Sequence, residues 1–341
     1  MRPRIVVFMG GKEEHASSST QSGTWACQYI PRSQYDVTPV HITHDGKWRV
    51  PLGSLPKTGD ITRTVNMLAS VTQPQEPAQA IQRLLTRPVD SIITLVRGKG
   101  GDDGAMHAMG DMMGIRVAGS GYHTSQAASH KHRFSHAIRD IVSTPYSRHI
   151  SHTITPEELE NELRGEFVPP FFIKPAAGAG SHGIMHVQSE KDIAQALREL
   201  IRNPQDIVIQ EALPGMELTI TVFSDSKNIL HTLPPTIVTP KGASFYDYHS
   251  KQRDNGAHFH SVHESDKNII EQAQEIARDV YTSLGCSGIA TVDMMADGNS
   301  FDVLELNTIP TFHTASPIHH QLKAAGMHPE QLITNGFGLI D

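Results

Sequence analysis

Two carboxylates and an amide near the end of the chain have a spacing that suits a cation site. Asp293 falls in one apolar, strand-like run, and Glu305 and Asn307 fall in the next. Side chains two residues apart on a strand point to the same side, so Glu305 and Asn307 share a face. If Asp293 lies across from them, three oxygen ligands of the kind that Mg²⁺ prefers converge. The alternative is an edge hairpin on which all three residues face solvent.

A glycine-rich stretch with a nearby lysine is the second candidate for chemistry. Residues 171–187 read FFIKPAAGAGSHGIMHV, which contains a G-x-G-x-x-G pattern ending at Gly183. A dinucleotide site would require a helix directly after these glycines, but residues 184–187 are typical of a strand. A glycine-rich hairpin tip lets backbone N–H groups approach phosphate oxygens, and Lys174 could add a positive charge. The stretch therefore predicts a phosphate cradle; the alternative is a flexible hairpin with a surface lysine.

Histidines are numerous but do not have the pattern of a metal site. The chain has 21 of them, with one group at His130, His132 and His136 and another at residues 258, 260 and 263. Zinc usually takes three or four Cys and His ligands at characteristic spacings, and neither group contains a cysteine. We interpret both groups as surface or helix-face histidines.

The composition favours a cytoplasmic enzyme over a nucleic-acid-binding or membrane protein. The formal net charge is −7 and the pI is about 6.3, which argue against extensive contacts with nucleic-acid phosphates. No run approaches the roughly 20 apolar residues of a membrane helix, and the first residues lack a signal-peptide core. The two cysteines, Cys27 and Cys286, lie far apart and form no disulfide framework, which suits a reducing compartment.

The elements that must position these residues change in character along the 341 residues. Residues 1–121 alternate short apolar runs with helical segments, which predicts a parallel sheet. Residues 122–212 predict a small α+β unit with strands at 171–174, 184–187 and 207–210. Residues 213–341 predict longer strands, a helix at 269–284 and a hairpin across Asp297, Gly298 and Asn299. We therefore expect an α/β (α+β) chain of three subdomains divided at these boundaries.

A long polar segment, residues 239–263, is predicted to be a loop. It has neither helical nor strand periodicity, and it carries Lys251. Loops of this kind often close over a bound substrate and exclude water. We expect residues 245–255 to act as a lid that a bound nucleotide protects from proteolysis.

Six motifs in register give the chain a resemblance to the D-alanine–D-alanine ligase family. Each motif is weak alone, but together they cover nearly the whole chain. The resemblance implies the ATP-grasp fold and ATP-dependent activation of a carboxylate for attack by an amine. The motifs are Gly10-Gly11 with Ser19, Ser22 and Gly23; residues 98–104 (GKGGDDG); residues 117–121 (VAGSG); Ile173-Lys174-Pro175; residues 245–248 (FYDY) with Lys251; and Asp293 with residues 305–310 (ELNTIP).

The resemblance also implies a role for each matching residue. Gln210 and Glu211 fall where adenine is recognised, and Glu217 falls where the ribose hydroxyls are held. ATP is implied together with two Mg²⁺ ions, or Mn²⁺ in their place, as are amino acid substrates and a homodimer. The implied positions are Lys131, Lys174, Ser181, Gly183, Gln210, Glu211, Glu217 and Lys251 for ATP; Asp293, Glu305 and Asn307 for the metal; His15, Arg97 and Ser316 for the substrates; and Lys251, Arg97 and Ser181 for catalysis.

The substrate side departs from the family pattern more than the ATP side. An arginine offers a fixed charge and a bidentate fork, whereas a threonine offers neither, so its loss is not conservative. Arg97 or Arg253 could supply the missing charge from another direction. The replacements are Thr291 for an arginine that supports the oxyanion, Arg97 for a histidine of the glycine-rich loop, His15 for a glutamate near the first ammonium, and Gln252 and Gly180 for the tyrosine and serine that fasten the closed loops.

Three functions are compatible with this pattern. The first is a ligase that makes D-alanyl-D-alanine for peptidoglycan precursors, and the second is a ligase of the same fold that joins other amino or carboxylic acids. The third is a nucleotide-binding regulator that has lost catalysis, against which the complete metal set and the three lysines argue. Because the substrate side has changed while the metal side has not, we expect weak synthesis of D-alanyl-D-alanine and preference for another donor or acceptor.

Overall fold

The computed structural model describes residues 2–12, 15–178, 180–202, 204–241, 256–263 and 265–339. Within these ranges the chain forms three sheets, which follow one another along the sequence. The predicted lid, residues 245–255, lies outside the described residues.

The first sheet is mainly parallel, as the alternation of apolar runs and helices predicts. Its strand order is β3-β2-β1-β4-β5; β1 pairs in parallel with β2 and β4, and only the short edge strand β3 is antiparallel. All seven residues of β1 are buried, which explains its continuous apolar run. The short strand β3 and two of the helices, α2 and α3, were not predicted. The elements are β1 (Arg4–Gly10), α1 (Ala16–Tyr29), β2 (Asp36–Ile42), β3 (Trp48–Arg49), α2 (Ile61–Val71), α3 (Pro77–Leu84), β4 (Ser91–Thr94), α4 (Ala105–Met113) and β5 (Arg116–Ala118).

The second sheet is antiparallel, with the strand order β6-β9-β7-β8. The glycine-rich stretch joins β7 to β8, so the prediction of a hairpin tip is confirmed and a strand, not a helix, follows the glycines. Helix α7 begins with a capping box between Thr155 and Glu158. The elements are α5 (Tyr122–Ala128), α6 (Lys131–Ile138), β6 (Ser147–Ile150), α7 (Pro156–Gly165), β7 (Phe171–Pro175), β8 (Met185–Val187), α8 (Glu190–Arg202) and β9 (Ile207–Glu211).

The third sheet has the order β13-β12-β10-β14-β15, with β11 paired to β10. The predicted hairpin across Gly298 is confirmed as β14 and β15. The prediction of one polar loop over residues 239–263 is wrong at both ends, because β12 and β13 pair with each other there. The elements are β10 (Met216–Ser224), β11 (Leu230–Thr232), β12 (Thr236–Pro240), β13 (Ala257–Ser261), α9 (Lys267–Ser283), β14 (Ile289–Asp297), β15 (Ser300–Asn307), α10 (Pro317–Ala324) and α11 (Pro329–Gly336).

Helix α1 connects the first sheet to the chain that follows β15. The Ser19 hydroxyl donates to the carbonyl of Leu95, just beyond β4, at 2.6 Å. The Ser22 hydroxyl accepts the N–H of Phe312 at 2.9 Å, and the Trp25 ring stacks on the Phe312 ring at 4.7 Å. The Trp25 and Phe312 rings belong to one hydrophobic core, which contains residues of the first and third sheets. The loops after β4 and β15 are therefore held side by side.

A glycine lies where the ends of β5 and β14, from the first and third sheets, come close together. Gly288 has φ +72°, and a Cβ there would lie 2.6 Å from Gly119 Cα. We expect Gly288→Ala to lower the free energy of unfolding by roughly 2–4 kcal/mol, because a strained φ and a backbone clash both contribute. Urea unfolding followed by the fluorescence of Trp25 and Trp48 measures the loss.

Gly285→Ala is the matched control for this prediction. Gly285 has a similar φ of +63°, but its Cβ would meet only Thr124 Oγ1, at 4.0 Å. This variant should lose only the strain component, about 1 kcal/mol. Equal losses in the two variants would show that close packing at Gly288 does not matter.

Candidate active site where the three sheets meet

The structure brings the predicted metal ligands together on the hairpin of β14 and β15. Asp293 pairs directly with Glu305, and Asn307 lies opposite Thr291. The Asn307 amide nitrogen donates to Asp293 Oδ2 and to Glu305 Oε1, each at 3.4 Å. Asp293 is buried, whereas Glu305 and Asn307 are half-buried. The alternative of three solvent-facing residues is therefore wrong.

A β-bulge places Glu305 on this face. Asp293 pairs with Glu305 while the next residue, Met294, pairs with Val303, so Leu304 is an extra residue in β15. Val303 is buried in the core, and strict alternation would have sent Glu305 to the same side. The bulge re-aims the chain so that Glu305 and Asn307 face Asp293.

Thr219 holds the Asp293 carboxylate, and this contact was not predicted. Thr219 lies opposite Asp293 on β10, and its hydroxyl donates to Asp293 Oδ1 at 2.7 Å. The buried Gln321 side chain in turn donates to the Thr219 carbonyl at 2.6 Å. Thr219 follows Glu217 by two residues on one strand, so its position on the same face could have been found from the sequence.

The chemistry of this donor set fits a magnesium ion. It offers two carboxylates and the side-chain amide of Asn307 on a single face. Within the described part of the chain, no group of three His, Cys, Asp or Glu side chains is arranged to hold a metal unaided. Mg²⁺ typically binds through one or two carboxylates and completes its shell with water and phosphate oxygens, so a partial protein shell is sufficient.

A large cavity of about 410 Å³ lies between the second and third sheets. Its volume is within the range of small-molecule sites, roughly 300–1,000 Å³. Both polar and apolar side chains line it, and a nucleotide with a charged tail and a flat base requires both. The polar residues include Lys174, Ser181, Gln210, Glu211, Glu217, Asp293 and Glu305; the apolar ones include Phe172, Ile184, Leu213, Val238, Met295 and Leu304.

The lysines predicted to hold phosphates lie on either side of the glycine-rich tip. Lys174 Nζ donates to Gln210 Oε1 and lies 5.3 Å from the centroid of the Phe172 ring. Lys131 begins α6, and its Nζ donates to the carbonyl of Gly178 at 3.1 Å. Lys131 faces a narrow space that it shares with Glu305 and Asn307 rather than the large cavity.

The tip itself has an unusual backbone. Gly178, Gly180 and Gly183 have φ of +113°, +69° and +70°, and Ser181 has φ +61°. Backbone N–H groups in turns of this kind can form concavities that bind anions. Ser181 lines the large cavity, so the tip meets the proposed phosphate end.

Glu211 is tied to the backbone that precedes β6. Its Oε1 accepts the N–H of Tyr146 at 2.6 Å, and its own N–H donates to the Tyr146 carbonyl at 3.0 Å. Burial, and next the charge of Asp302, raise the pKa of the Glu211 carboxyl above its usual value. This side chain therefore fixes one end of the large cavity through an internal contact.

A small cavity of about 80 Å³ adjoins the large one. It is lined by the three predicted substrate residues, His15, Arg97 and Ser316, which come from the first and third sheets' loops. Glu217, Asp293 and Glu305 line both cavities. The wall between the two cavities is therefore made of acidic residues, two of which belong to the proposed metal set. Residues of the small cavity that were not predicted are Ser18, Thr219, Pro310, Thr311, His313, Ala315, Pro317 and Ile318.

His15 and Gly180 meet over the small cavity. His15 is 6% exposed, and a Cβ on Gly180 would lie 2.5 Å from its Cε1 atom. A serine at position 180, as in the family pattern, therefore has no room beside this imidazole. The two departures from the family pattern are sterically linked.

Ser316 and Arg97 approach the small cavity from different loops. Ser316 precedes α10, and its hydroxyl donates to the Thr311 carbonyl at 2.5 Å, so it does not cap the helix. Arg97 is 9% exposed, and its Nη2 donates to Asn307 Oδ1 at 3.2 Å. Lys251 and Gln252, together with Arg253, Glu13 and Glu14, lie outside the described residues.

Two other groups of titratable residues do not join the site. His132 and His136 lie one turn apart on α6, and the His132 ring stacks on that of His149 at 5.3 Å. Cys27 and Cys286 are free, and burial raises the pKa of each thiol to about 12. Neither thiol is thus suited to nucleophilic chemistry near neutral pH.

Across the described residues, no helix has both the length and the apolarity needed to cross a membrane.

Comparison with known proteins agrees with this geometry. Family profiles described as "D-ala D-ala ligase N-terminus" and "D-ala D-ala ligase C-terminus" match residues 4–120 and 139–336. A D-alanine–D-alanine ligase from Leptospira interrogans serogroup Icterohaemorrhagiae serovar Lai is 25% identical over 97% of this chain and 96% of its own.

Solved structures are similar over almost the full length. The VanG D-Ala:D-Ser ligase of Enterococcus faecalis has a TM-score of 0.79 at 22% identity, with 99% of both chains covered. A D-alanine–D-alanine ligase from Bacillus anthracis, solved in complex with ATP, has a TM-score of 0.70 at 20% identity, with 97% of this chain and 94% of that one covered. These neighbours have the ATP-grasp fold, so the expected fold class is confirmed. The chain belongs to the D-alanine–D-alanine ligase family.

Proposed function

We propose that this chain is an ATP- and Mg²⁺-dependent ligase that joins the carboxylate of one small acid to the amine of a small amino acid. The observation that carries this proposal is the acidic wall shared by the two cavities. The large cavity and the small cavity both border the carboxylates that we propose as metal ligands, Asp293 and Glu305. A γ-phosphoryl group bound at the wall would therefore face an acid in the small cavity.

The proposed reaction has two steps. A carboxylate oxygen of the first substrate bonds to the γ-phosphorus of ATP, the bond to the β-phosphate oxygen breaks, and ADP leaves. The amine nitrogen of the second substrate then bonds to the carbonyl carbon of the acyl phosphate, forming a tetrahedral oxyanion. The carbon–oxygen bond to the phosphate breaks, inorganic phosphate leaves, and the amine releases its proton to solvent.

The residues divide this work according to their positions. Lys131, Lys174 and the N–H groups of the glycine-rich tip with Ser181 and Gly183 would neutralise the phosphates. Asp293, Glu305 and Asn307 would hold two Mg²⁺ ions, or Mn²⁺, which neutralise charge on the transferring group when bound. In the large cavity, the residues proposed for adenine and ribose are Gln210, Glu211 and Glu217; Lys251 is proposed at the γ-phosphate.

The small cavity favours a substrate pair other than two molecules of D-alanine. The His15–Gly180 contact occupies the place where the family pattern has a glutamate–serine pair, and Thr291 occupies the place of an arginine. His15, Arg97 and Ser316 would instead contact the substrates.

We also propose that the protein acts in the cytoplasm, as a homodimer.

A panel of D- and L-amino acids and small carboxylic acids, singly and in pairs, tests the proposal. ADP release should require Mg²⁺ and an acid, and the product should have the mass of the pair minus water. We expect some pair to exceed D-alanine alone by at least about tenfold in kcat/KM, since one or two lost contacts discriminate at this level. If D-alanine is best in both positions, the substrate preference is wrong; if nothing releases ADP, the ligase activity is wrong.

A further inference from the structure

The arginine missing from β14 has a structural replacement in the loop after β4. Thr291, which stands at the position of the family's arginine, lies directly opposite Asn307 on β15. The Arg97 guanidinium reaches that same asparagine, with Nη2 3.2 Å from Asn307 Oδ1. Arg97 and Thr291 also line the same small cavity. A guanidinium group therefore lies next to position 291, where the family has its arginine, although Arg97 comes 194 residues earlier in the chain.

Arg97 is held in place rather than free to swing into solvent. Its side chain is 9% exposed, and its Nε lies 3.7 Å from Asp102 Oδ2. That distance is too long for a hydrogen bond, and among the described residues the buried Nε has no hydrogen-bond partner. Because an unsatisfied buried donor costs about 1–3 kcal/mol, a purely structural arginine is an expensive choice at this position.

The loop that carries Arg97 is folded tightly against its own start. A Cβ on Gly101 would lie 2.1 Å from the Val96 carbonyl oxygen, and Gly101 donates its N–H to the Gly98 carbonyl at 3.0 Å. Asp103 Oδ2 accepts the N–H of Gly100 at 2.9 Å. These contacts give the backbone next to Arg97 one defined path, which is a requirement for a preorganised charge.

We propose that Arg97 is a catalytic residue of this chain, which neutralises the substrate carboxylate and then the tetrahedral oxyanion in place of an arginine at position 291. The inference rests on the proposed ligase function. Asp102 on its own loop lies beside Arg97, and among the described residues the carboxylates that line the small cavity with Arg97 are Glu217, Asp293 and Glu305. Arg97 is therefore a cation in a cavity with an acidic wall, and it would attract the substrate carboxylate that this wall repels.

The test compares Arg97→Gln with the wild-type chain, using the best substrate pair. We expect kcat to fall about 10²-fold, the effect of losing one oxyanion donor. Mn²⁺ affinity and ATP affinity, measured by calorimetry without the acid substrate, should fall much less than kcat does. Arg97→Lys keeps the charge but loses the bidentate fork, so its kcat should lie between those of the wild type and Arg97→Gln. Lys99→Met is the matched control, because Lys99 is an exposed cation of the same loop, and it should retain wild-type kinetics.

A reciprocal exchange separates catalysis from support of Asn307. Arg97→His restores the family's residue and should lose activity as Arg97→Gln does; adding Thr291→Arg should then recover at least about tenfold in kcat. Activity of Arg97→Gln within fivefold of wild type would overturn the proposal, as would a fall in Mn²⁺ affinity that matches the fall in kcat. Failure of the double variant to recover activity, with Mn²⁺ binding intact, would also overturn it. An inactive wild-type chain would instead refute the ligase function.

Discussion

Glu305→Gln is expected to abolish ligation while the protein remains folded. The substitution keeps the shape of the side chain and removes a charge that faces Asp293 and Asn307. Metal-ion stabilisation of a transferring phosphoryl group is worth several kcal/mol. A loss of about 4 kcal/mol corresponds to about 10³ in rate, so kcat should fall by at least that factor. Glu305→Ala should behave in the same way.

Metal binding shows whether this loss has the proposed cause. Mn²⁺ titrated into the protein with a non-hydrolysable ATP analogue should bind at least tenfold more weakly to Glu305→Gln than to the wild type. Asp297→Asn is the matched control, because Asp297 is an exposed carboxylate at the tip of the same hairpin. Normal turnover and normal Mn²⁺ affinity in Glu305→Gln would refute the metal assignment.

Lys174→Met is expected to lower kcat/KM for ATP by about 10³-fold. Lys174 lines the large cavity beside the glycine-rich tip, and its ammonium lies within reach of Gln210. A charge-assisted hydrogen bond to a phosphate contributes about 1.5–3 kcal/mol to binding. The same charge also neutralises the phosphoryl group as it transfers, so the loss should exceed the effect on binding alone.

Two measurements separate the effect of Lys174→Met on ATP binding from its effect on catalysis. ATP should bind roughly 10–100-fold more weakly by calorimetry, and kcat at saturating ATP should fall as well. Lys191→Met serves as the control, because Lys191 is an exposed lysine of α8, the helix that follows β8. If Lys174→Met binds ATP normally, Lys174 serves only to support Gln210.

The sequence predicts well those strands whose apolar runs are bounded by turn residues. β1, β7 and the hairpin of β14 and β15 combine apolar runs with strong turn signals, and the structure has them where expected. β13 was missed because its sequence, AHFHS, has exposed and half-buried residues at the edge of a sheet and no apolar face. Helix α7 was missed because half of its residues are charged, but its capping box at Thr155 was a usable signal.

The candidate site shows where local patterns are insufficient. The shared face of Glu305 and Asn307 follows from their spacing, but the bulge at Leu304 that turns this face toward Asp293 does not. The contact of Arg97 with Asn307 joins residues 210 positions apart, and the contact of His15 with Gly180 joins the start of α1 to the tip between β7 and β8. Such contacts depend on how the three sheets pack, which no periodicity within one segment encodes.

The packing of His15 against Gly180 also constrains how this chain can change through successive mutations. At Gly180 any side chain meets both the imidazole and an unfavourable φ of +69°, so a substitution there is penalised while His15 remains. Replacing His15 by a smaller or more flexible residue removes the first penalty and makes position 180 more permissive. The effect of one mutation thus depends on whether the other came first. A library that varies each position alone would score the glutamate–serine pair as two defects, whereas a combined library could recover it as a functional alternative.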